Sequence, residues 1–296
     1  MRDTTVPEQP AILVAEECDR GIQNEENQDA ILHLCIALGE LLIVADGIGG
    51  GTAGATASRL VVEHFYAHMA ALPHDYPAEK AIREAAARAN KKILEAAKAA
   101  NSPKEQMGST VVVALIQQGS DGISAWIGNI GTSRAYLVRA ERLYRLTTDH
   151  SATQSMLERS LISPEEALHH PAASVAIRRL GGQPEVEIDI EQHPLAIGDT
   201  LLLCSCGLWG SVPEKEIEAA AAGGALGAAA HELLEKALAA DGHNSIAIEM
   251  ARMIVPPPPV APRKSELPIA FKWVVLTFLI AVAGLCVLLY TVFLRR

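Results

Sequence analysis

The fold is decided by the stretch Val44-Ala45-Asp46-Gly47-Ile48-Gly49-Gly50-Gly51, which follows the apolar run Leu41-Leu42-Ile43. The apolar run predicts a buried strand, and the small residues Thr52-Ala53-Gly54 predict the start of a helix. Asp46 therefore stands at the mouth of a strand, where glycines let backbone carbonyls turn toward a ligand. These oxygens are the ligands that a hard divalent cation prefers. One aspartate cannot hold such an ion alone, so the function depends on what the rest of the chain brings to Asp46.

Length, charge and cysteine content narrow the class of protein. The chain has 296 residues, enough for one large domain or two smaller ones. A formal charge of −10 argues against nucleic acid as a partner, because a phosphate-binding surface needs a basic face. The cysteines show no disulfide or zinc-finger spacing, which indicates a reducing compartment; they are Cys18, Cys35, Cys204, Cys206 and Cys286.

The carboxyl-terminal part of the chain carries 22 consecutive residues without a charge, at 273–294. As a helix this run is about 33 Å long, enough to cross a bilayer core of about 30 Å. Core helices rarely stay apolar on every face over this length, so we predict a transmembrane helix at 272–294 with a cationic tail at 295–296. The polar residues 1–10 lack a signal peptide. We therefore predict a single-pass protein of the cell membrane with a cytoplasmic amino-terminal domain.

The rest of the chain divides at a proline-rich segment. Residues 1–10 are predicted to be a disordered amino terminus, 11–253 a folded domain, and 254–271 a juxtamembrane linker. The linker contains four consecutive prolines, which favour an extended polyproline helix. It is predicted to act as a stiff spacer, or alternatively as a docking site for a proline-reading partner.

Residues 11–253 carry short strand-like runs, then long alanine-rich segments with helical periodicity, then strands again. Gly39 divides two apolar runs and predicts a β-hairpin, and the second long helix carries a predicted i,i+4 pair between Glu84 and Arg88. This alternation predicts an α+β domain in which stacked sheets are covered by helices. The predicted strands are 31–37, 41–45, 110–116, 122–128, 134–138, 142–146, 186–190, 200–205 and 245–253, and the predicted helices are 56–72, 78–100, 152–160, 164–169, 214–222 and 225–239.

Nine blocks of sequence follow one another along this domain: Asn27-Gln28-Asp29, Val44-Ala45-Asp46-Gly47-Ile48-Gly49-Gly50, Gly108-Ser109-Thr110, Gly131-Thr132-Ser133-Arg134-Ala135-Tyr136-Leu137, Leu146-Thr147-Thr148-Asp149-His150-Ser151, Ser163-Pro164-Glu165-Glu166-Ala167, Gly198-Asp199-Thr200-Leu201-Leu202-Leu203-Cys204-Ser205, Gly207-Leu208-Trp209 and His243-Asn244-Ser245. In this order they resemble the bacterial metal-dependent protein phosphatases, the PPM or type 2C family. The resemblance implies a four-layer α-β-β-α sandwich with a two-metal centre at one edge. In an active member, Mg²⁺ or Mn²⁺ activates a water that attacks phosphoserine or phosphothreonine.

The resemblance also assigns roles to residues of this chain. Asp46 matches the aspartate that bridges the two ions, Gly47 matches the glycine whose carbonyl is a ligand, and Asp29 matches an acidic residue that acts on the metals through water. Three family aspartates are replaced: two metal ligands by Cys206 and His243, and one at a third metal site by Thr132.

Further departures concern phosphate and the neighbouring loops. Asn24 stands where many bacterial members carry a phosphate-contacting arginine, a change that gives up about 1.5–3 kcal/mol of anion binding. Ala55 replaces the usual glutamate after Gly54, and Ala173-Ser174 replace an Arg-Asn pair in a flap-like segment.

Three hypotheses follow. Two divalent ions bring four positive charges, and Asp46 alone remains as a direct carboxylate ligand. The first hypothesis is therefore a pseudophosphatase, which holds no metal cofactor and binds a phosphoprotein, a kinase or another cytosolic component. The second is an active phosphatase in which Asp46, Cys206 and His243 hold Zn²⁺, since thiolate and imidazole suit zinc. The third is a structural membrane scaffold. On the simplest view of the residues themselves, Cys204 and Cys206 fill space and His243 belongs to a surface turn.

Overall fold

The computed structural model describes residues 11–100, 107–163, 166–167, 170–240 and 244–255. The strands are β1 Ile12–Asp19, β2 Asp29–Ile36, β3 Gly39–Ile48, β4 Gly108–Ser109, β5 Val111–Gly119, β6 Gly122–Ile130, β7 Arg134–Arg139, β8 Arg142–Arg145, β9 Asp189–Leu195, β10 Thr200–Cys204 and β11 Ile246–Met253. The helices are α1 Gly51–Met69, α2 Ala78–Ala99, α3 Ala152–Glu158, α4 Cys206–Trp209, α5 Glu214–Ala221 and α6 Leu226–Ala240.

The strands form two antiparallel sheets. The first sheet has the order β1-β11-β10-β7-β8, and the second has the order β2-β3-β5-β6-β9, with the short β4 paired to β3. The predicted hairpin at Gly39 joins β2 to β3, where the φ angle of Gly39 is 145°. A β-carbon at this glycine would collide with the backbone of Ile116 on β5, so the hairpin requires glycine.

Three apolar layers hold the sheets and helices together. Side chains alternate along β3, so that Leu42 and Val44 face the first sheet while Leu41 and Ile43 face α1 and α2. The first sheet likewise packs its other face, including Leu202, against α5 and α6. Strands buried on both faces are apolar throughout, which explains the continuous apolar run before Asp46. The described residues thus form the four-layer α-β-β-α sandwich that the sequence predicts.

A buried arginine ties the first sheet to α4. Arg134 of β7 donates to the carboxylate of Asp149 at 3.0 Å (Nε–Oδ1) and 2.7 Å (Nη2–Oδ2), and its guanidinium lies 3.5 Å from the ring centre of Trp209. Although burial acts to lower it, the pKa of Arg134 is raised by the bonds to Asp149. The indole Nε1 of Trp209 in turn donates to the carbonyl of Thr132 at 2.9 Å. This network fixes the loop that carries Thr132.

Most predicted elements lie where the sequence places them, and the exceptions have physical reasons. α1 begins at Gly51 rather than at residue 56, because its first turn uses the small residues after the glycine run. β9 lies at Asp189–Leu195 rather than 186–190, and as an edge strand it shows little apolar signal. The strand β1 and the one-turn helix α4 are not in the prediction. The predicted ion pair between Glu84 and Arg88 does not form. Glu84 interacts instead with His68, Lys80 and Tyr76.

Some predictions fall outside the described residues. Of the helix predicted at 164–169, only residues 166 and 167 are described. The predicted disordered terminus 1–10, most of the linker 254–271 and the predicted span 272–294 also lie outside them. Within the described part of the chain, no helix has the length and apolarity needed to cross a bilayer.

Candidate functional site

Two strands of the second sheet bring Asp29 and Asp46 together. Asp29 on β2 lies directly opposite Asp46 on β3 in the antiparallel register. The carbonyl of Asp46 accepts from the amide of Thr110 at 2.8 Å and from Ser109 Oγ at 3.1 Å. A β-carbon at Gly47 would collide with the carbonyl oxygen of Gly54 in α1, so only glycine lets the helix start this close to the strand end. The backbone therefore holds this edge of the sheet firmly in place.

Asp29 is a buried carboxyl with an unusual environment. Its side chain is only 6% exposed, and neither carboxylate oxygen makes a hydrogen bond of normal geometry. Burial, and after it the charge of Asp46, raises the pKa of Asp29 well above its ordinary value. The Ser205 hydroxyl favours the ionised form but does not outweigh these effects. Two carboxyl groups this close carry a repulsion that only a cation or a proton relieves.

Cys206 reaches the same place from the first sheet. β10 ends at Cys204, which is fully buried in the core beside α5 and α6, and α4 begins at Cys206. The pKa of Asp46 is raised by burial, and hydrogen bonds from the thiol and the backbone amide of Cys206 offset part of the rise. Burial and the charge of Asp46 raise the pKa of the Cys206 thiol well above its usual range. Cys204 therefore fills space in the core, while the buried thiol of Cys206 lies beside Asp46.

Two departures from the family pattern contact each other. Thr132 is buried after β6, and its Oγ1 donates to the carbonyl of Ser174 at 3.2 Å. The neighbouring residue Ala176 forms an isolated bridge with Ser151. The segment that contains Ala173-Ser174 is thus held directly against the Thr132 loop. Ala55 is buried in α1, where a glutamate would have to find room and a partner.

Asn24 is held within its own loop. Its Nδ2 donates to the carbonyl of Arg20 at 2.9 Å and to Ser245 Oγ at 3.4 Å, and its Oδ1 accepts from Gln28 Nε2 at 3.2 Å. Ser245 Oγ also accepts from the backbone amide of Gln28 at 3.0 Å. The roles of Gln28 and Ser245 were missed at the level of sequence, where they only formed part of longer blocks. The amide at this position is used for structure.

The donor set of the described residues was compared with the needs of a two-ion magnesium or manganese centre. Asp46, the Gly47 carbonyl and Asp29 supply oxygens, while Cys206 supplies sulfur, a poor ligand for these ions. Across the described ranges, no group of three or more His, Cys, Asp or Glu side chains is placed to hold a metal ion. His243 lies outside the described residues. The described residues therefore do not fit a two-ion centre of this kind.

Comparison with known proteins identifies the family. The sequence profile described as Protein phosphatase 2C matches residues 20–240, and the chain therefore belongs to this PPM family of protein phosphatases. The serine/threonine phosphatase stp of Listeria monocytogenes is 37% identical over 181 residues, covering 60% of this chain and 70% of its own. The serine/threonine protein phosphatase PstP of Mycobacterium tuberculosis is 33% identical over 242 residues, covering 81% of this chain and 45% of its own.

A solved structure supports the same assignment. The catalytic domain of PstP in complex with two manganese ions superposes with a TM-score of 0.72 at 28% identity, covering 82% of this chain and 99% of that one. The relatives are named as serine/threonine phosphatases. The comparisons therefore favour the hypothesis of phosphoester hydrolysis over that of an inactive homologue, whereas the described donor set points the other way.

Proposed function

We propose that this chain is a PPM-family pseudophosphatase, which binds a phosphoprotein, a kinase or another protein component without hydrolysing phosphoesters. The partner binds at the edge of the sandwich that carries Asp29, Asp46 and Cys206, which we call the cleft. The observation that carries the proposal is the donor set: the buried thiol of Cys206 lies beside Asp46, at a position where the family pattern has a metal-binding aspartate. A thiol there supplies neither the oxygen nor the negative charge that Mg²⁺ or Mn²⁺ requires. Asn24 adds to this, because its side-chain amide bonds to Arg20 and Gln28 in its own loop and to Ser245.

The surface near this edge supports contact with a protein. Ile22, in the loop between β1 and β2, is 68% exposed. Val175 and Ile177, in the segment that packs on the Thr132 and His150 loops, are 53% and 61% exposed. Exposed apolar side chains of this size offer contact points for a protein partner, and these are the positions that we propose a partner contacts.

A second candidate function is metal-dependent hydrolysis of phosphoserine or phosphothreonine, which the names of the relatives favour. Asp29, Asp46 and Gly47 are retained, and they could hold an ion if His243 and Cys206 complete the set. Such a donor set suits Zn²⁺ better than Mg²⁺ or Mn²⁺, because it contains sulfur and nitrogen.

Phosphatase assays separate the two candidates. The full-length protein in detergent is incubated with a phosphoserine peptide and Mn²⁺, and separately with Zn²⁺, beside an Asp46→Ala variant. We expect equal background release of phosphate from both proteins. Phosphate release that requires Asp46 in the presence of either metal ion would establish metal-dependent hydrolysis and overturn the pseudophosphatase proposal.

Binding at the cleft end is tested with the same protein. Proteins captured from a membrane extract by the wild type are compared with those captured by Ile22→Asp/Ile177→Asp, with Tyr66→Asp as a control for an exposed apolar residue on another face. We expect a defined partner to be lost only from the cleft-end variant. Equal capture by all three proteins would count against this surface.

We further propose that residues 272–294 anchor the protein in the cell membrane with the phosphatase-like domain on the cytoplasmic side. The uncharged run at 273–294 supports the anchor.

A further inference from the structure

A groove lies on the outer helical layer, away from the cleft. It runs between the outward faces of α1 and α2 and encloses about 780 Å³. Its lining consists of three exposed alanines, three basic residues of α2, two histidines and one glutamate: Ala67, Ala71, Ala87, Arg88, Lys91, Lys92, His64, His68 and Glu84. We call these nine residues and the space between them the basic groove. The small side chains of the alanines allow another chain to approach the helix backbones closely.

Arg88 forms no ion pair with Glu84, the acidic residue one turn before it in α2. Glu84, at position i−4, accepts instead from the Tyr76 hydroxyl at 3.0 Å and pairs with His68 Nε2 at 3.0 Å. It also lies 3.9 Å from Lys80 Nζ. Among the ion pairs of the described residues none includes Arg88, which is exposed. Burial, and after it the charge of Arg88, lowers the pKa of His68, so the Arg88 guanidinium lies close to this wall of the groove, where the single carboxylate of Glu84 is shared by His68, Tyr76 and Lys80.

The neighbouring lysines share a single carboxylate. Lys92 Nζ lies 2.7 Å from Glu95, and Lys91 Nζ lies 4.0 Å from the same residue. The whole of α2 carries six basic and three acidic side chains, a net charge of +3 in a chain whose net charge is −10. A local positive surface on a strongly acidic protein is distinct from the alternating charges of an ordinary solvated helix.

We propose that the basic groove is a docking site for an acidic peptide segment of a partner protein. Charge complementarity selects the acidic sequence, because Arg88 forms no ion pair among the described residues and Lys91 and Lys92 share one carboxylate. The shape selects a peptide, since the lining on α2 runs from residue 84 to residue 92, about 12 Å along the helix, and the alanines leave space between the longer side chains. A flat bilayer surface would meet the lysines but would not fill the space above the alanines.

The test measures binding to a defined probe. A fluorescein-labelled octapeptide with four consecutive glutamates is titrated with the full-length protein in neutral detergent, and anisotropy gives the affinity. The glutamine version of the peptide is the probe control. We expect the glutamate peptide alone to bind, and the binding to weaken when salt rises from about 50 mM to about 300 mM.

Matched variants locate the site. Arg88→Gln/Lys91→Gln should weaken binding of the glutamate peptide about ten-fold. Arg142→Gln/Lys215→Gln removes the same charge from exposed positions on other elements and should bind like the wild type. The four positions are exposed, and an unchanged melting temperature establishes that the variants fold.

Other outcomes overturn the proposal. They are no binding by the wild type, equal losses in both double variants, or binding to phosphatidylglycerol vesicles in place of the peptide, which would assign the face to the membrane. The groove is separate from the cleft, so Asp46→Ala should bind the peptide unchanged. If the peptide does not bind, the proposed pseudophosphatase function is unaffected. If the phosphatase assay shows hydrolysis, the proposal for the basic groove is unaffected.

Discussion

At the scale of single residues, Cys206 changes what its surroundings can bind. Asp29 and Asp46 are brought together by strand register, and in this chain the buried Cys206 thiol lies beside Asp46 where the family pattern supplies another carboxylate. A neutral thiol adds no negative charge to the pair. A proton or a cation relieves the repulsion between the two carboxyl groups, and the raised pKa of Asp29 favours the proton.

Restoring the carboxylates should restore cation binding. We expect Cys206→Asp/His243→Asp to bind Mn²⁺, because both substitutions restore carboxylates at positions that the family pattern assigns to metal ligands. At a Mn²⁺ concentration about 100 times the dissociation constant, the free energy of unfolding should rise by about 2.7 kcal/mol. Thermal unfolding with and without Mn²⁺ measures this, with the triple variant that adds Asp46→Ala as a control. If Mn²⁺ leaves the melting temperature of the double variant unchanged, the assignment of these positions as metal ligands is contradicted.

The sequence predicts part of this site and misses the rest. The resemblance identifies Asp29, Asp46 and Cys206, and the structure places the three side chains together. The resemblance does not show that Asn24 bonds to Ser245, 221 residues away, because that contact depends on how the two sheets stack. The contact of Thr132 with a backbone carbonyl is likewise invisible in residue identities.

At the scale of elements, the pairing of β1 with β11 buries an acid in the layer between the sheets. Glu249 of β11 is fully buried opposite Glu16 of β1, and neither of its carboxylate oxygens has a hydrogen-bond partner. Burial, and after it the charge of Glu16, raises the pKa of Glu249 well above its ordinary value. The folded protein therefore holds a proton on Glu249 over a range of pH in which the unfolded chain has released it.

This proton makes stability depend on pH in a defined direction. Between the ordinary glutamate pKa and the raised one, the folded state binds more protons, so the free energy of unfolding should fall as pH rises, by up to about 1.4 kcal/mol per pH unit. Glu249→Gln should remove this part of the slope, while Glu187→Gln, at an exposed position, should keep it. Denaturant titrations from pH 5 to pH 9 measure both. A slope unchanged in Glu249→Gln would show that other groups cause it.

Predictability varies among the elements for the same physical reasons. Long helices and central strands are visible in the sequence because they bury apolar residues at regular spacing. β9 is an edge strand with mostly exposed side chains and a proline at position 194, which suits an edge because it needs no amide donor there. Its boundaries follow from pairing with β6, which no local pattern records.

At the scale of the whole molecule, the sandwich is predictable because so many blocks of sequence occur in the family order. The membrane anchor stays a prediction, since residues 272–294 lie outside the described part of the chain. Local hydropathy supports a span there, but it says little about orientation when the flanking basic residues are nearly balanced.

Topology can be measured directly. In spheroplasts expressing the full-length protein, we expect external protease to leave the amino-terminal domain intact, and alkaline carbonate to leave the protein in the membrane fraction. Lysed spheroplasts provide the control in which the domain must become accessible. Digestion in intact spheroplasts would reverse the orientation, and extraction by carbonate would contradict the anchor.

The course of β11 has a mechanical consequence. The strand starts beside the cleft, where Ala247 accepts from the amide of Ser205, and it ends at the opposite side of the sandwich, where the amide of Ile254 donates to the carbonyl of Ala11. Its eight residues cover roughly 27 Å. A force that pulls a partner bound at the cleft away from Val255 would act along β11. The hydrogen bonds that pair β11 with β1 and with β10 would then be loaded in shear, so that many of them resist the force together.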